Sequence, residues 1–266
     1  MSNIRYYIRI YKLFIIQYIK TLMQSKLNFF IGLFGCLFVQ VSGILFLYLI
    51  FDQIPLLNGW SLNQLVFIYG FSQIPRGIDH FFADYIWLLA SRMVTNGEFD
   101  RYLLRPIPPF FQLLCDRVQL DAMGELLIGG GIIGISVANR TVHISLVNCL
   151  FFMISILAGA IIYTSIKLFF ASLAFWMTNS SPILQLGYEM SGFAKYPISI
   201  YSKPIQIFCT IIIPFAFAAF YPASYFITGN NVLRTIVLEV GVAIVVWLLA
   251  YNLFKCGIRA YKSVGN

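Results

Sequence analysis

Long apolar runs, separated by shorter stretches that carry most of the charges, dominate the chain. Residues 27–51 contain no charged side chain, and a helix of about 20 residues is enough to cross a bilayer. Five further apolar runs follow at about residues 62–82, 122–138, 145–169, 205–227 and 232–254. The pattern predicts an all-α membrane protein with six transmembrane helices, and residues 1–266 form a single transmembrane domain.

The composition excludes a soluble globular protein. Apolar residues make up 60% of the chain and charged residues 11%, whereas a soluble domain has about 25% charged residues. A soluble chain of this length cannot bury so much apolar surface. The net charge of +8 does not indicate a nucleic-acid partner, because the basic residues stand at the ends of the apolar runs.

The basic residues also predict the orientation in the membrane. Fourteen Lys and Arg residues, including Lys195 and Lys203 before the fifth run, fall on one side of the predicted spans. Two, Arg140 and Arg234, fall on the other side. The positive-inside rule then places both termini in the cytoplasm.

Residues 1–26 precede the first span and have an amphipathic pattern. Arg5, Arg9, Lys12 and Lys20 fall within an arc of roughly 80° on a helix. We therefore expect a helix that lies on the cytoplasmic leaflet and contacts membrane lipids. The alternative is an N-terminal extension of the first span.

Glycines and prolines mark two unusual spans. Gly130 and Gly134 form a GxxxG motif in the third span, which indicates close helix packing within the subunit or with a partner. Pro214 and Pro222 fall in the fifth span, and each removes a backbone donor. They predict a broken or re-entrant segment around spans five and six, with a simple kink as the alternative.

Charged residues inside the apolar runs are candidates for function. Arg76 and Asp79 are three residues apart in span two, so they are expected to pair on one helix face or to serve the transport pathway or its gating. Lys167 and Glu125 are expected to reach the cytoplasmic headgroups, and Glu239 the outer interface.

The sequence offers little enzymatic chemistry. It contains no GxxxxGK[ST] phosphate loop, so this chain is not expected to bind ATP and magnesium itself. Five scattered cysteines and two histidines, His80 and His143, predict no metal site. We expect no catalytic residues and no cofactor on this chain.

The cytoplasmic stretch at residues 91–110, between spans two and three, is the most informative. Gly97 ends one helix, Glu98 and Asp100 favour the first turn of the next, and Pro106 stops it. A short helix is predicted at residues 98–104. Phe99 and Leu103, with Tyr102 as a further candidate, would form an apolar stripe for docking on a partner. The alternative is an ordinary loop at the membrane surface.

The stretch Gly-Glu-Phe-Asp-Arg-Tyr-Leu-Leu-Arg-Pro at residues 97–106 resembles type-2 ABC exporter permeases, in the bacterial subfamily described as ABC-2 family transporter proteins. Tyr196-Pro197, Ile213-Pro214-Phe215-Ala216 and Tyr221-Pro222-Ala223 are similar to the same subfamily, as is the basic end from Arg259 to Ser263. The resemblance covers nearly the whole chain.

This resemblance implies an ATP-driven exporter in which two permeases, identical or related, pair with two separate ATPase subunits that bind ATP and magnesium. The N-terminal helix would be the connecting helix. The resemblance also implies a set of ATPase-coupling residues, namely Gly97, Glu98, Phe99, Asp100, Arg101, Leu103, Arg105 and Pro106. It does not identify the substrate.

Two other classes of protein remain as alternatives. An ion-coupled secondary transporter is expected to show internal repeats, and none is evident in the sequence. A membrane-embedded lipid-modifying enzyme needs a catalytic set, but Asp116, Asp121 and Glu125 do not align on one helix face.

Overall fold

The computed structural model describes residues 2–24, 26–142, 145–229 and 232–263, so His143 lies outside the described residues. Within these ranges the secondary structure is helical and no strand is present. The α-helices are α1 Ser2–Gln24, α2 Lys26–Gln53, α3 Leu62–Ala83, α4 Ile86–Leu88, α5 Asp100–Leu104, α6 Pro109–Asp116, α7 Met123–Ala138, α8 Leu146–Ser172, α9 Ser181–Glu189, α10 Lys203–Ile207, α11 Phe215–Ala218, α12 Phe220–Thr228 and α13 Val232–Ala260.

Four helical stretches in the described ranges are long and apolar enough to cross a membrane, namely Phe29–Gln53, Leu120–Ala138, Val147–Phe175 and Arg234–Ala260. They confirm the predicted helices of the first, third, fourth and sixth runs. The second run forms α3, which has 22 residues but carries more polar and charged side chains.

Polar groups define where two helices begin. The backbone N–H of Ser61 donates to Gln64 Oε1 at 3.0 Å before α3, and Ser145 Oγ accepts from the backbone of Asn148 at 3.1 Å before α8.

Helix α8 occupies the centre of the bundle and packs against α3, α9, α11 and α13. Helix α7 packs against α3, and α2 lies outside α7. One aromatic cluster, which includes Phe99, Tyr102 and Phe254, defines the end of the bundle that we call the α5 end. Asn58 and Trp60, in the loop before α3, lie at the opposite end, which we call the far end.

The apolar run at residues 205–227 is not one continuous helix, which agrees with the predicted break in this segment. After α10 a short π-helix, Phe208–Ile212, ends at Ile213, whose backbone angles (φ −124°, ψ 89°) are not helical. Pro214 follows, and it has no N–H and disfavours a helical residue before it. A second interruption falls at Ala219 (φ −142°, ψ −62°), between α11 and α12.

Residues 181–199 run from one end of the bundle to the other, which the sequence did not predict. At the α5 end, the Ser180 backbone N–H donates to the carbonyl of Ala90 at 3.0 Å. At the far end, Ser199 Oγ accepts from Trp60 Nε1 at 3.0 Å, and its carbonyl accepts from Asn58 Nδ2 at 2.7 Å. Lys203 therefore follows the far end. The prediction had placed it on the same side of the membrane as Arg101 and Arg105, which lie at the α5 end.

Residues 203–228 enter the bundle from the far end and return to it. A Cβ atom added at Gly159, near the middle of α8, would lie 2.7 Å from the Ala218 carbonyl oxygen, so this segment reaches mid-bundle. It then turns back, because Tyr225 donates its hydroxyl hydrogen to Asn148 Oδ1 at 3.1 Å beside the start of α8. The segment is a helical hairpin rather than a straight or kinked helix.

Two sets of glycines on α7 have different surroundings. A Cβ atom at Gly129 would lie 2.9 Å from the Gly70 carbonyl oxygen, so Gly129 permits the close approach of α7 and α3. Gly130 and Gly134 have no described atom within 4 Å of an added Cβ. The GxxxG motif therefore makes no close packing contact within the described part of the chain, and a contact with a partner stays a prediction.

Candidate functional site

The segment at residues 97–106 folds back against the α5 end of the bundle. Gly97 has a φ of +71°, a left-handed conformation that glycine adopts without strain. The Phe99 backbone N–H then donates to the Met93 carbonyl at 2.9 Å. Helix α5 begins at Asp100, two residues later than predicted, and ends at Leu104. Arg105 is extended, as the residue before Pro106 is expected to be.

Phe99 faces into the bundle and is fully buried. Its ring centroid lies 5.2 Å from that of Phe175, which follows α8, and 5.4 Å from that of Tyr261, which follows α13. It also contacts Phe254 of α13 edge-on. The predicted apolar stripe is therefore wrong in part, because Phe99 and Tyr102 are buried within the chain while Leu103 is exposed.

Tyr102 joins α5 to α6. Its hydroxyl donates to the Asp116 carboxylate, and Arg101 Nη2 donates to the same hydroxyl at 3.2 Å and lies 3.8 Å from Asp116. Burial and the neighbouring carboxylate raise the pKa of Tyr102. Gln112 Nε2 also donates to the carbonyls of Tyr102 and Ile107, at 2.8 and 2.7 Å. These contacts hold the segment in one position.

The outward side of the segment has few contacts within the chain. Leu104 is 85% exposed and Leu103 is 42% exposed, and Arg105 and Pro106 are also exposed. We call these four residues the α5 surface. Two other predicted coupling residues are held by the bundle: Glu98 lies 3.8 Å from Arg92, and Asp100 accepts from Ser263 Oγ at 2.6 Å.

The predicted pairing of Arg76 with Asp79 is wrong. Arg76 Nε lies 3.6 Å from Glu125 Oε1 on α7, whereas Asp79 Oδ2 lies 2.8 Å from Lys167 Nζ on α8. Arg76 and Asp79 point to different neighbouring helices. Each lies closer to its partner on that helix than the two residues lie to one another. Lys167 and Glu125 are buried inside the bundle, so their side chains do not extend to the surface of the chain as predicted.

Arg76, Asp79, Glu125 and Lys167 form a layer of ion pairs across the bundle, which we call the ionic layer. Three polar residues that the sequence did not single out complete it. Asp79 accepts from Thr164 Oγ1 at 2.8 Å and from the Tyr188 hydroxyl at 2.7 Å. Lys167 Nζ lies 3.5 Å from Asp84 Oδ1. Thr164 and Tyr188 belong to segments that are distant from Asp79 in the chain, so no local spacing could have identified them. Asp84 directly follows α3, but its partner Lys167 comes from α8.

Glu239 differs from the predicted position at the outer interface. Its side chain is fully buried, and neither carboxylate oxygen has a hydrogen-bond partner among the described residues. Ser155 on α8 lies beside it, and that hydroxyl is also without a hydrogen bond in the described structure. Because the Glu239 carboxylate is buried within the chain, it does not extend to the surface as predicted.

Two cavities open near these residues. A polar cavity of about 290 Å³ lies between α3, α7 and α9, with Arg76 and Glu125 in its wall but not Asp79. An apolar groove of about 940 Å³ lies between α8, α9, α13 and the π-helix that precedes Pro214. Of the two residues predicted for the pathway, only Arg76 reaches a described cavity.

Comparison with known proteins identifies the family. No curated protein and no solved structure matches the chain. The family model described as "ABC-2 family transporter protein" matches residues 37–265, a range that includes α3, α5, the ionic layer and the hairpin at residues 203–228. The chain therefore belongs to the ABC-2 transporter family, and it is a multi-pass membrane permease component of an ABC transporter.

Proposed function

We propose that this chain is the permease subunit of an ATP-driven exporter and that a separate ATPase subunit drives it through the α5 surface. The observation that carries the proposal is the division of α5 into a side anchored in the bundle and a side that exposes Leu103 and Leu104. Exposed leucines on a rigid segment suit docking into a groove on a partner.

The proposed topology has six crossings. They are α2, α3, α7, α8, residues 181–200 and α13, and residues 203–228 form a re-entrant hairpin on the outer side. The α5 end faces the cytoplasm in this arrangement, and so do both termini. Basic residues at that end, among them Arg101, Arg105 and Lys255, agree with this orientation in the plasma or inner membrane.

Helix α1 belongs to the cytoplasmic side in this proposal. Arg9, Lys12 and Lys20 are exposed along it, and the side chain of Arg5 lies outside those that the structure describes. Arg117 Nε donates to the Tyr18 hydroxyl at 3.1 Å, which joins α1 to the end of α6 near α5. An amphipathic helix in this position would lie at the lipid headgroups beside the ATPase.

Coupling follows from the way that α5 is anchored. A displacement of the α5 surface by the ATPase would move Phe99, and through Phe175 and Phe254 it would move α8 and α13. ATP and magnesium would bind to the ATPase, since this chain has no phosphate loop. The nucleotide would bias a pair of permeases between an inward and an outward state.

Arg76 and Asp79, at the junction of α3 with α7 and α8, are proposed to take part in gating.

Purification in mild detergent tests the proposal. We expect the wild-type chain to retain an ATPase subunit and ATP hydrolysis, and Leu104→Asp to lose both. Met177→Asp is the matched control, because Met177 is another exposed apolar residue near the α5 end. A well-folded wild-type chain that retains no ATPase, or equal retention by Leu104→Asp and wild type, would contradict the proposal.

A further inference from the structure

The polar cavity between α3, α7 and α9 carries an excess of negative charge. Asp84, Glu125 and Glu189 line it, against Arg76 as the permanently charged base among the described lining residues. Lys167 lies behind the wall, but it is shared between Asp84 and Asp79 and leaves the excess unchanged. Lys195 interacts electrostatically with Arg76 and Glu125 and reduces the excess to one negative charge when His80 is neutral. The chain as a whole has a net charge of +8, so this cavity opposes the overall trend. A partly buried excess of one sign attracts ions of the other sign.

One carboxylate oxygen in the cavity wall has no donor among the residues that the structure describes. The Glu125 side chain is 5% exposed, and its Oε1 atom lies near Arg76 Nε and Gln40 Nε2. Its Oε2 atom makes no hydrogen bond there, and His80 Nδ1 is 3.8 Å away. Leaving a buried acceptor without a donor is unfavourable, so a ligand with a positive, donating group would be stabilised here.

Aromatic rings form the other wall. The rings of Trp87 and Tyr188 lie edge to face, with centroids 5.8 Å apart. The Tyr188 ring already has Lys167 Nζ 5.0 Å and Arg76 Cζ 5.8 Å from its centroid, which leaves the Trp87 ring as the wall for a further cation. Aromatic faces attract organic ammonium groups.

The donor set and the volume restrict the kind of cation. In the part of the chain that the structure describes, no three His, Cys, Asp or Glu side chains converge as they would around a metal ion. The cavity volume of about 290 Å³ is at the lower limit of small-molecule sites, which occupy about 300–1,000 Å³. A small ammonium group fits these limits better than a metal ion or a large compound.

We propose that this cavity binds an organic ammonium group between Glu125, Glu189 and Trp87. As a statement about the cargo of the exporter, the assignment rests on the proposed function. Binding itself requires neither nucleotide nor an ATPase subunit, so the two proposals fail in different experiments.

Calorimetric titration of the full chain in detergent tests the site, with benzylammonium, a primary ammonium cation with N–H donors, as the probe. The expected result is saturable binding of this cation and none of benzyl alcohol, an uncharged probe of related shape. Glu189→Gln is expected to raise the Kd about twofold to fivefold, in line with a single exposed charge pair. Glu189 is exposed and bonds only to Gln185 on the same helix in the described structure, so this variant is expected to fold.

Asp52→Asn is the matched control. Asp52 is an exposed carboxylate at the far end, and its removal changes the net charge equally. Its Kd is expected to equal that of the wild type. Equal affinity for both probes, or the same Kd for Glu189→Gln and Asp52→Asn, would overturn the proposal.

Two vesicle compositions of equal surface charge identify the source of the ammonium group. Both contain the same fraction of phosphatidylglycerol, and the remainder is either phosphatidylethanolamine, which has a primary ammonium group, or a neutral glycosyl diacylglycerol, which has none. A weaker apparent affinity for the probe in the phosphatidylethanolamine vesicles supports the site with a lipid headgroup as its occupant. An equal affinity in the two vesicles supports the site with a soluble ammonium compound.

Discussion

The α5 end of the bundle has a buried side and an exposed side that meet within one short helix. Tyr102 is fully buried, and Leu104, two residues later, is 85% exposed. Beneath them, Lys167 is fully buried and carries a charge. The difference indicates that the buried side determines whether this end folds, whereas the exposed side is available to a partner. Substitutions on the two sides should therefore change different measurements.

Lys167→Met is expected to have the largest effect on stability. The Asp79 carboxylate would lose the ammonium that lies 2.8 Å away and would remain buried without a cation. Removing one partner of a buried pair costs about 3–5 kcal/mol, measured here as a lower unfolding midpoint in detergent. The double variant Asp79→Asn with Lys167→Met should recover much of the loss. If Lys167→Met were as stable as the wild type, the claim that the buried side determines folding would be wrong.

Phe99→Ala is expected to have the next largest effect. It removes the ring that packs against Phe175 and Tyr261, and large-to-small aromatic substitutions in a core cost about 3 kcal/mol or more. The unfolding midpoint should fall and the ATPase should be lost with it. Leu103→Ala, on the exposed side of the same helix, is the control and should keep the wild-type midpoint.

Tyr102→Phe should produce a smaller loss of about 1.5 kcal/mol or more, because it removes the hydrogen bond from this hydroxyl to the Asp116 carboxylate and the one that it accepts from Arg101.

The wild type is also expected to lose stability in alkaline solution. The pKa of Tyr102 is raised on folding, so its contribution is complete below the ordinary tyrosine pKa of about 10 and is lost as the pH rises through the folded value. Unfolding midpoints measured up to alkaline pH should therefore fall less for Tyr102→Phe. Parallel curves for the two proteins would contradict this assignment.

Leu104→Asp should have the smallest effect on stability, within about 0.5 kcal/mol, because an exposed side chain loses few contacts. The ATP hydrolysis that copurifies with the chain should nevertheless be lost completely or nearly so. This separation of stability from activity sharpens the comparison. A large drop in the unfolding midpoint would show that Leu104 is part of the buried side.

Much of the helical pattern could be predicted from the sequence, because apolar runs and local caps determine it. Ser145 precedes α8 and Gly97 precedes α5, as predicted. The proposed topology moves the fifth crossing from residues 205–227 to residues 181–200, and the sequence favoured the former because it is the more apolar segment. Residues 181–199, which traverse the bundle, include Glu189 and Lys195 and are divided into short helices.

The site was less predictable, because its partners are distant in the sequence. Arg76 and Asp79 are three residues apart on α3, but their partners Glu125 and Lys167 come from α7 and α8. Phe99 was assigned to a docking stripe since nothing local shows that Phe175 and Phe254 would cover it. Which face of a short helix is buried depends on the tertiary packing and not on its own pattern.

Photo-crosslinking from the α5 surface tests the central claim most directly. A photoreactive residue would replace Leu104 in one protein and Met177 in another, and each would be irradiated in membranes that contain the complete transporter. The account predicts a crosslink from position 104 to the ATPase subunit, weaker or absent from position 177. Crosslinks only to lipid or to this chain from position 104, in a complex that hydrolyses ATP, would contradict it.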